Sequence, residues 1–280
     1  MLLEFWRSFS QSKGALIGLA IIMLFFIVAV GAGVISPYDP STVFSDAALS
    51  PPDLTSKYLL GTDDLGRDIL SRLLYGARVS LILGLLIVFI SALFGIVLGL
   101  TAGYLGGITD MIIMRFTDIL MSLPSILLAI VVVSVLGTSL FNTVIAISIV
   151  SIPAFVRLVR ASVLAEKRKN YVICARCFGA SHFRIAFLNI LPNCIAPITV
   201  QATLAFSDGI LNIAALGFLG LGAQPPTPEW GTMLADARDY IISEPYLVML
   251  PGLCILAVVI SFNLVGDVMR DCLDAKLKKI

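Results

Sequence analysis

Charged side chains are scarce in this chain of 280 residues. Asp, Glu, Lys and Arg make up 13% of the sequence, whereas hydrophobic residues make up 59%. A soluble domain of this length carries about a quarter charged residues. The composition therefore predicts a protein whose main solvent is lipid, and the net charge of +1 gives no electrostatic basis for a nucleic-acid partner.

Residues that bind metals or form disulfide frameworks are also few. The five cysteines are an odd number, and none lies in the polar stretch 36–78, which argues against a disulfide framework. Cys174 and Cys177 form a C-x-x-C pair, but a structural metal site needs about four ligands and His182 is the single histidine. We expect no metal site and interpret the pair as chance spacing in a helical segment.

Nucleotide-binding and catalytic motifs are missing as well. No G-x-x-x-x-G-K-[ST] sequence occurs, and the run Gly217, Gly220, Gly222 lacks the strand–turn–helix setting of a phosphate loop. The only histidine lies in a basic segment and completes no Ser–His–Asp set. We expect a chain that is not an enzyme and has no cofactor of its own.

Long stretches without any charged residue are what the sequence does contain. A membrane-spanning helix needs about 20 apolar residues, whereas the run 119–156 would extend about 57 Å as one helix. The cluster Gly137, Thr138, Ser139 divides that run into a hairpin. The sequence thus predicts one all-α integral membrane domain, 1–280, with six spans at about 15–35, 79–105, 116–136, 140–161, 194–220 and 246–266.

Lysine and arginine are distributed unevenly between the predicted loops. If the N-terminus is cytoplasmic, only five of the 19 basic residues fall outside, namely Lys57, Arg67, Arg72, Arg78 and Arg238. We therefore expect a multi-pass protein with both termini in the cytoplasm. Its polar loop at 36–78 is then external, and the basic segment 162–190 is cytoplasmic.

The most basic part of the chain runs from Glu166 to Arg184. Apolar residues recur there at helical spacing from Tyr171 to Phe178, and Gly179 is suited to end that helix. Phe183, Phe187 and Ile190 can line a second helix. The segment is either a compact knob outside the membrane or a positive-inside loop at the lipid headgroups.

Several motifs together resemble one known family. The order Cys174-Ala175, Gly179, Leu191-Pro192 is one of them. It resembles the coupling loop of ABC importer permeases, although Ile173 replaces the motif's glutamate. The stretches 61–78, 215–231 and 263–274 resemble peptide-importer permeases, so the similarity covers nearly the whole chain. It is closest to the second permease subunit of dipeptide transporters.

This resemblance implies a type I ABC importer permease in the bacterial inner membrane that moves dipeptides or short peptides inward. It implies a second, different permease subunit, two ATP-binding subunits that bind ATP and Mg, and an extracytoplasmic substrate-binding protein. The residues that it assigns to ATPase coupling are Glu166, Tyr171, Cys174, Ala175, Gly179, Ala180, Leu191 and Pro192. The alternatives are an ion-gradient-driven secondary transporter, for which Asp208 is the best support, and a membrane scaffold without transport.

Three further groups of residues have open interpretations. The polar loop residues Gly61, Asp63, Asp64, Arg67 and Asp68 fit a helix cap with ion pairs, a metal site or direct peptide contact. Small residues at positions 91, 95, 99 and 103 fit static helix packing or a sliding surface. Trp230 is expected to anchor at the membrane interface.

Asp208 is predicted to lie inside the fifth span, where ionisable side chains are rare and usually functional. Gln201 precedes it by seven residues and Asn212 follows it by four, so all three share one helix face. We interpret this face as the lining of a translocation path, an interhelical hydrogen-bonding group or a proton relay.

Overall fold

The computed structural model describes residues 9–53 and 55–277, with side chains described up to residue 272. This part of the chain contains no β-strand, only an isolated bridge between Thr62 and Asp68. Its α-helices are α1 (Lys13–Ile35), α2 (Ile69–Leu105), α3 (Gly107–Met121), α4 (Ser125–Leu136), α5 (Leu140–Glu166), α6 (Asn170–Cys177), α7 (Leu191–Phe218), α8 (Trp230–Asp236) and α9 (Tyr246–Leu277). A π-helical turn, Arg184–Ile190, leads directly into α7. The predicted all-helical membrane fold is confirmed.

Five helices are long and apolar enough to cross a bilayer: α1, α2, α5, α7 with its π-helical turn, and α9. A sixth span requires α3 and α4 to be counted together, and these two helices are bent by 94°. The predicted third span, at about 116–136, is therefore not one continuous helix. Pro124 lies at the break, where it lacks an amide donor and disfavours helical geometry at Leu123.

The polar loop after α1 is shorter than predicted, because α2 begins at Ile69 and not near position 79. The charges of Arg72 and Arg78 suggested a loop, but both side chains have partners on the protein. Arg78 donates hydrogen bonds of 2.7 and 2.8 Å to the carbonyl oxygens of Ala29 and Val30 in α1. Tertiary contacts thus allow two arginines in the first turns of a long apolar helix.

Helices α2 and α5 approach each other closely along the small residues of α2. A methyl group on Gly95 would lie 2.2 Å from Cβ of Phe155, and one on Gly99 would lie 2.7 Å from the carbonyl oxygen of Val156. Ser91 donates a 3.2 Å hydrogen bond to the carbonyl oxygen of Ser148. The structure therefore shows the close helix packing that small residues permit in lipid.

The polar segments gather at two opposite ends of the bundle. We call one the Arg67 end: it consists of residues 36–68 and 219–245, which are joined by the 3.5 Å ion pair between Arg67 and Asp236. We call the other the Gly179 end, which consists of residues 167–190. Three basic residues used to predict the orientation, Arg7, Lys278 and Lys279, lie outside the described residues.

Candidate functional sites

At the Gly179 end, α6 finishes in a Schellman motif. Gly179 has φ +76°, and its amide donates a 3.0 Å hydrogen bond to the carbonyl oxygen of Arg176. The next amide, of Ala180, donates a 3.0 Å hydrogen bond to the carbonyl oxygen of Ala175. Glycine adopts this left-handed geometry without steric cost, so the prediction that Gly179 ends a helix is confirmed.

A hydrogen-bonded group fastens α6 to the two long helices beside it. The Glu166 carboxylate at the end of α5 accepts bonds of 2.7 Å from both Lys169 and the Tyr171 hydroxyl. Asn193, in the first turn of α7, donates a 3.2 Å bond to the same hydroxyl. Burial and the bond to Glu166 raise the pKa of Tyr171, which therefore stays protonated as a donor. These hydrogen bonds connect α6 to both α5 and α7.

The outer face of the Gly179 end is apolar with a basic rim. We call this the knob surface, and it consists of Ile173, Phe178, Phe183 and Leu188, whose exposed fractions are 52%, 91%, 70% and 67%. The thiols of Cys174 and Cys177 are exposed on the same segment, as are Arg168, Arg176 and Arg184. Exposed apolar groups of this kind mark a surface for a partner protein or for the lipid headgroups.

The predicted coupling residues divide between this surface and its support. Glu166 and Tyr171 fasten the segment, Gly179 and Ala180 form the turn, and Leu191 and Pro192 begin α7. The sequence interpretation placed Phe178 and Phe183 on the apolar faces of two short helices, and the structure leaves both side chains exposed. Phe178 directly precedes the terminating glycine, where the chain leaves the helical repeat, so helical spacing no longer predicts its direction.

A second candidate site is a cavity of about 400 Å³ between α4, α5 and α7. Its polar lining contains the three residues that were predicted from the sequence, Gln201, Asp208 and Asn212. It also contains two serines that were not predicted, Ser125 and Ser151. Asp208 is exposed, and one N–H of Asn212 donates a 2.8 Å hydrogen bond to the Asp208 carbonyl. Ser125 follows Pro124 directly, so the helix break brings its hydroxyl to the cavity.

The Arg67 end is held together by ion pairs around two buried guanidinium groups. Arg67 lies 2.6 Å from Asp63 and 3.5 Å from Asp236, while Arg72 lies 3.5 Å from Asp63. Burial, together with the neighbouring charge of Asp63, raises the pKa of Asp64.

Close to these ion pairs, Asp68 caps α2 by accepting a 2.8 Å hydrogen bond from the amide of Ser71. A side chain on Gly61 would collide with the carbonyl oxygen of Ser50, 2.4 Å away. Residues 9–53 and 55–272 contain no group of three or more His, Cys, Asp or Glu side chains that could hold a metal ion. Of the three interpretations, the structure shows the cap and the ion pairs.

Trp230 is fully buried at the Arg67 end, which corrects its expected role at the membrane interface. Its indole nitrogen donates a 3.2 Å hydrogen bond to the carbonyl oxygen of Leu73, and its ring meets Phe25 edge-on at 5.6 Å. The neighbouring Glu229 caps α8, a role that was not predicted from the sequence. That carboxylate accepts bonds of 2.8 and 2.9 Å from the amides of Gly231 and Thr232.

Comparison with known proteins assigns this architecture to a class. Residues 95–279 match the family described as binding-protein-dependent transport system inner membrane component. Residues 1–52 match the N-terminal TM domain of oligopeptide transport permease C. The chain belongs to the family of inner membrane components of binding-protein-dependent transport systems, and it is a multi-pass membrane protein.

Curated relatives are similar over almost their full length. The chain is 55% identical to the di/tripeptide transport system permease protein DppC of Pseudomonas aeruginosa, over 98% of this chain and 92% of the relative. It is 52% identical to the dipeptide transport system permease protein DppC of Escherichia coli K12, over 99% and 93%. The glutathione transport system permease protein GsiD of Pectobacterium atrosepticum is 44% identical, over 98% and 91%. The resemblance to dipeptide and oligopeptide permeases is confirmed.

Proposed function

We propose that this chain is one permease subunit of an ATP-driven importer that moves dipeptides or short peptides into the cytoplasm of a bacterium. The observation that carries the substrate class is the identity of 50–55% to permeases named for dipeptides or di/tripeptides. Relatives named for glutathione, itself a short peptide, are 44% and 46% identical, and a further relative named for dipeptides is 46% identical. Family membership favours this function over the ion-gradient alternative.

The knob surface is proposed as the docking site for a cytoplasmic ATP-binding subunit. Its four exposed apolar side chains fit an apolar groove, and the arginines at its rim favour acidic residues around that groove. Two such subunits would bind the ATP and Mg. One would dock on this chain and the other on a second, different permease. This chain would itself hold no cofactor.

The hydrogen bonds of Glu166 would couple the ATP-binding subunits to the membrane-spanning helices. Closure of the ATP-binding subunits would displace α6, and the hydrogen bonds that join Glu166, Tyr171 and Asn193 would carry that displacement to α5 and α7. These two helices line the polar cavity, so their movement would change access to it. This proposal places the Gly179 end and both termini in the cytoplasm, and the Arg67 end towards the substrate-binding protein.

Reconstituted transport tests this function directly. The complete complex in proteoliposomes should accumulate alanyl-alanine only when the substrate-binding protein is present outside and ATP is present on the side of the ATP-binding subunits. Uptake should be insensitive to an uncoupler. Uptake that persists without ATP and stops with the uncoupler would instead establish the secondary transporter.

A further inference from the structure

We propose that Asp208 is a specificity-determining residue that receives the α-ammonium group of the peptide as it passes through the cavity between α4, α5 and α7. This inference rests on the proposed peptide transport and adds the group that the pathway recognises. It follows from the depth of the cavity, from the hydrogen bonding of its polar side chains and from the single negative charge of Asp208.

The cavity lies deep in the membrane-spanning part of the bundle. Asp208 is ten residues before the end of α7, which corresponds to about 15 Å of helix. The hydrocarbon core of a bilayer is about 30 Å thick, so the distance of Asp208 from the end of α7 is about half of that thickness. A volume of about 400 Å³ falls within the range of about 300–1,000 Å³ that is typical of small-molecule sites.

The polar side chains around Asp208 offer hydrogen-bond acceptors beside their own N–H and O–H donors. The Ser151 hydroxyl donates its proton to the Ile147 carbonyl at 2.9 Å, which leaves its lone pairs available. One N–H of Asn212 is engaged by the Asp208 carbonyl at 2.8 Å. Gln201 and Asn212 both contribute amide oxygens to the same space.

The Asp208 carboxylate is the only charged group in this lining. Within residues 9–53 and 55–272, it makes no hydrogen bond and no ion pair. An unpaired carboxylate at this depth is costly and requires either water or a cationic partner. A passing cation with several N–H donors would satisfy both the carboxylate and the acceptors beside it.

A peptide carries one such group. Its α-ammonium has three N–H donors and a positive charge, which match one carboxylate and the neighbouring oxygens. The C-terminal carboxylate of the peptide finds no cationic side chain in the cavity. The pathway should therefore recognise the amino end of its cargo and be indifferent to the carboxyl end.

The test compares Asp208→Asn with wild type in the complete reconstituted transporter. Three probes are used: alanyl-alanine, its methyl ester, which keeps the ammonium, and N-acetyl-alanyl-alanine, which lacks it. For each probe the uptake per ATP hydrolysed is expressed as the ratio of variant to wild type, so that the selectivity of the substrate-binding protein cancels. Asp208→Glu tests rescue by charge, and Asp239→Asn, at a side chain 83% exposed, controls for loss of one negative charge.

For Asp208→Asn we expect the ratio to fall about tenfold with alanyl-alanine and its methyl ester, because one charge-assisted hydrogen bond is lost. The ratio should stay near one for the acetylated probe, which has no ammonium group. Asp208→Glu should recover most of the uptake, and Asp239→Asn should behave as wild type. Equal ratios for all three probes would overturn the inference. If all three fell, Asp208 would instead contact the partner permease, and if none fell, Asp208 would have no role in uptake. A wild-type complex that moves none of the probes would contradict the proposed function itself.

Discussion

Individual residues at the two ends of the bundle are arranged for different tasks. At the Arg67 end, charged groups such as Arg67 and Glu229 are buried and satisfied by partners of this same chain. At the Gly179 end, Phe178 is 91% exposed and has no such cover. Buried polar groups that are satisfied within the chain need no partner from another chain, whereas uncovered apolar area marks a surface for a partner protein or for lipid.

Replacement of Phe178 by serine should weaken docking of the ATP-binding subunit without affecting the fold. Its side chain is almost fully exposed, so truncation leaves no cavity, whereas an aromatic anchor at an interface is worth about 2 kcal/mol or more. We expect at least a tenfold loss of co-purifying ATP-binding subunit. Ile242→Ser is the matched control, because Ile242 is 98% exposed at the Arg67 end. Equal loss in both variants would contradict the docking assignment.

Glu229 should make stability depend on pH. Burial raises the pKa of this carboxyl above its ordinary value of 4.5, although the amides of Gly231 and Thr232 oppose the shift. An acid with a raised folded-state pKa stabilises the fold most below its unfolded pKa, and that contribution is lost as pH rises through the folded value. Glu229→Gln, which cannot ionise, should therefore lose less stability than wild type as the pH rises above 4.5. Parallel unfolding midpoints for the two proteins over this range would refute the effect.

Helices were predicted well from the sequence where composition alone decides their limits. The charge-free run of α1 predicted a span at about 15–35, and the helix covers Lys13–Ile35. The start of α2 was missed because Arg78 is satisfied by carbonyl groups of α1, a contact that spacing along the chain does not reveal. The bend at Pro124 had a local signal, since proline disfavours helical continuation, but the apolar run around it favoured an unbroken span.

Packing between α2 and α5 should be sensitive to a single methyl group. Gly99→Ala would place Cβ within 2.7 Å of the Val156 carbonyl oxygen, and overpacking of this kind costs about 1–3 kcal/mol. Gly252→Ala in α9 meets no atom within 4 Å and should be neutral or slightly stabilising. Denaturant titration in mixed micelles compares the two variants. Similar stability for both would mean that the α2–α5 contact tolerates extra volume.

For the whole molecule, the distribution of polar segments decides how the bundle lies in the membrane. The excess of lysine and arginine predicts that the Gly179 end is cytoplasmic. The candidate sites were only partly predictable on this scale. Gln201, Asp208 and Asn212 share a helix face by spacing alone, but Ser125 and Ser151 join them only through the packing of α4 and α5 on α7.

Native cysteines at the Gly179 end can report this orientation. Cys174 and Cys177 are exposed, whereas Cys194 is buried. A variant that keeps only Cys174 should react with a membrane-impermeant maleimide in inside-out vesicles and not in right-side-out vesicles, provided that the ATP-binding subunits are removed. A cysteine at Ser56, exposed at the Arg67 end, should show the opposite pattern. Labelling of Cys174 in right-side-out vesicles would reverse the proposed topology.

The most direct test of the account is a mild-detergent pull-down that compares two glycines. Gly179 and Gly220 both have φ +76°, and neither has an atom within 4 Å of an added Cβ, but they lie at opposite ends of the bundle. Aspartate at either position introduces the same backbone strain and the same charge. We predict that Gly179→Asp loses the ATP-binding subunits and their ATPase activity, while Gly220→Asp retains both. If Gly179→Asp retains them as fully as Gly220→Asp, the Gly179 end does not couple this permease to ATP.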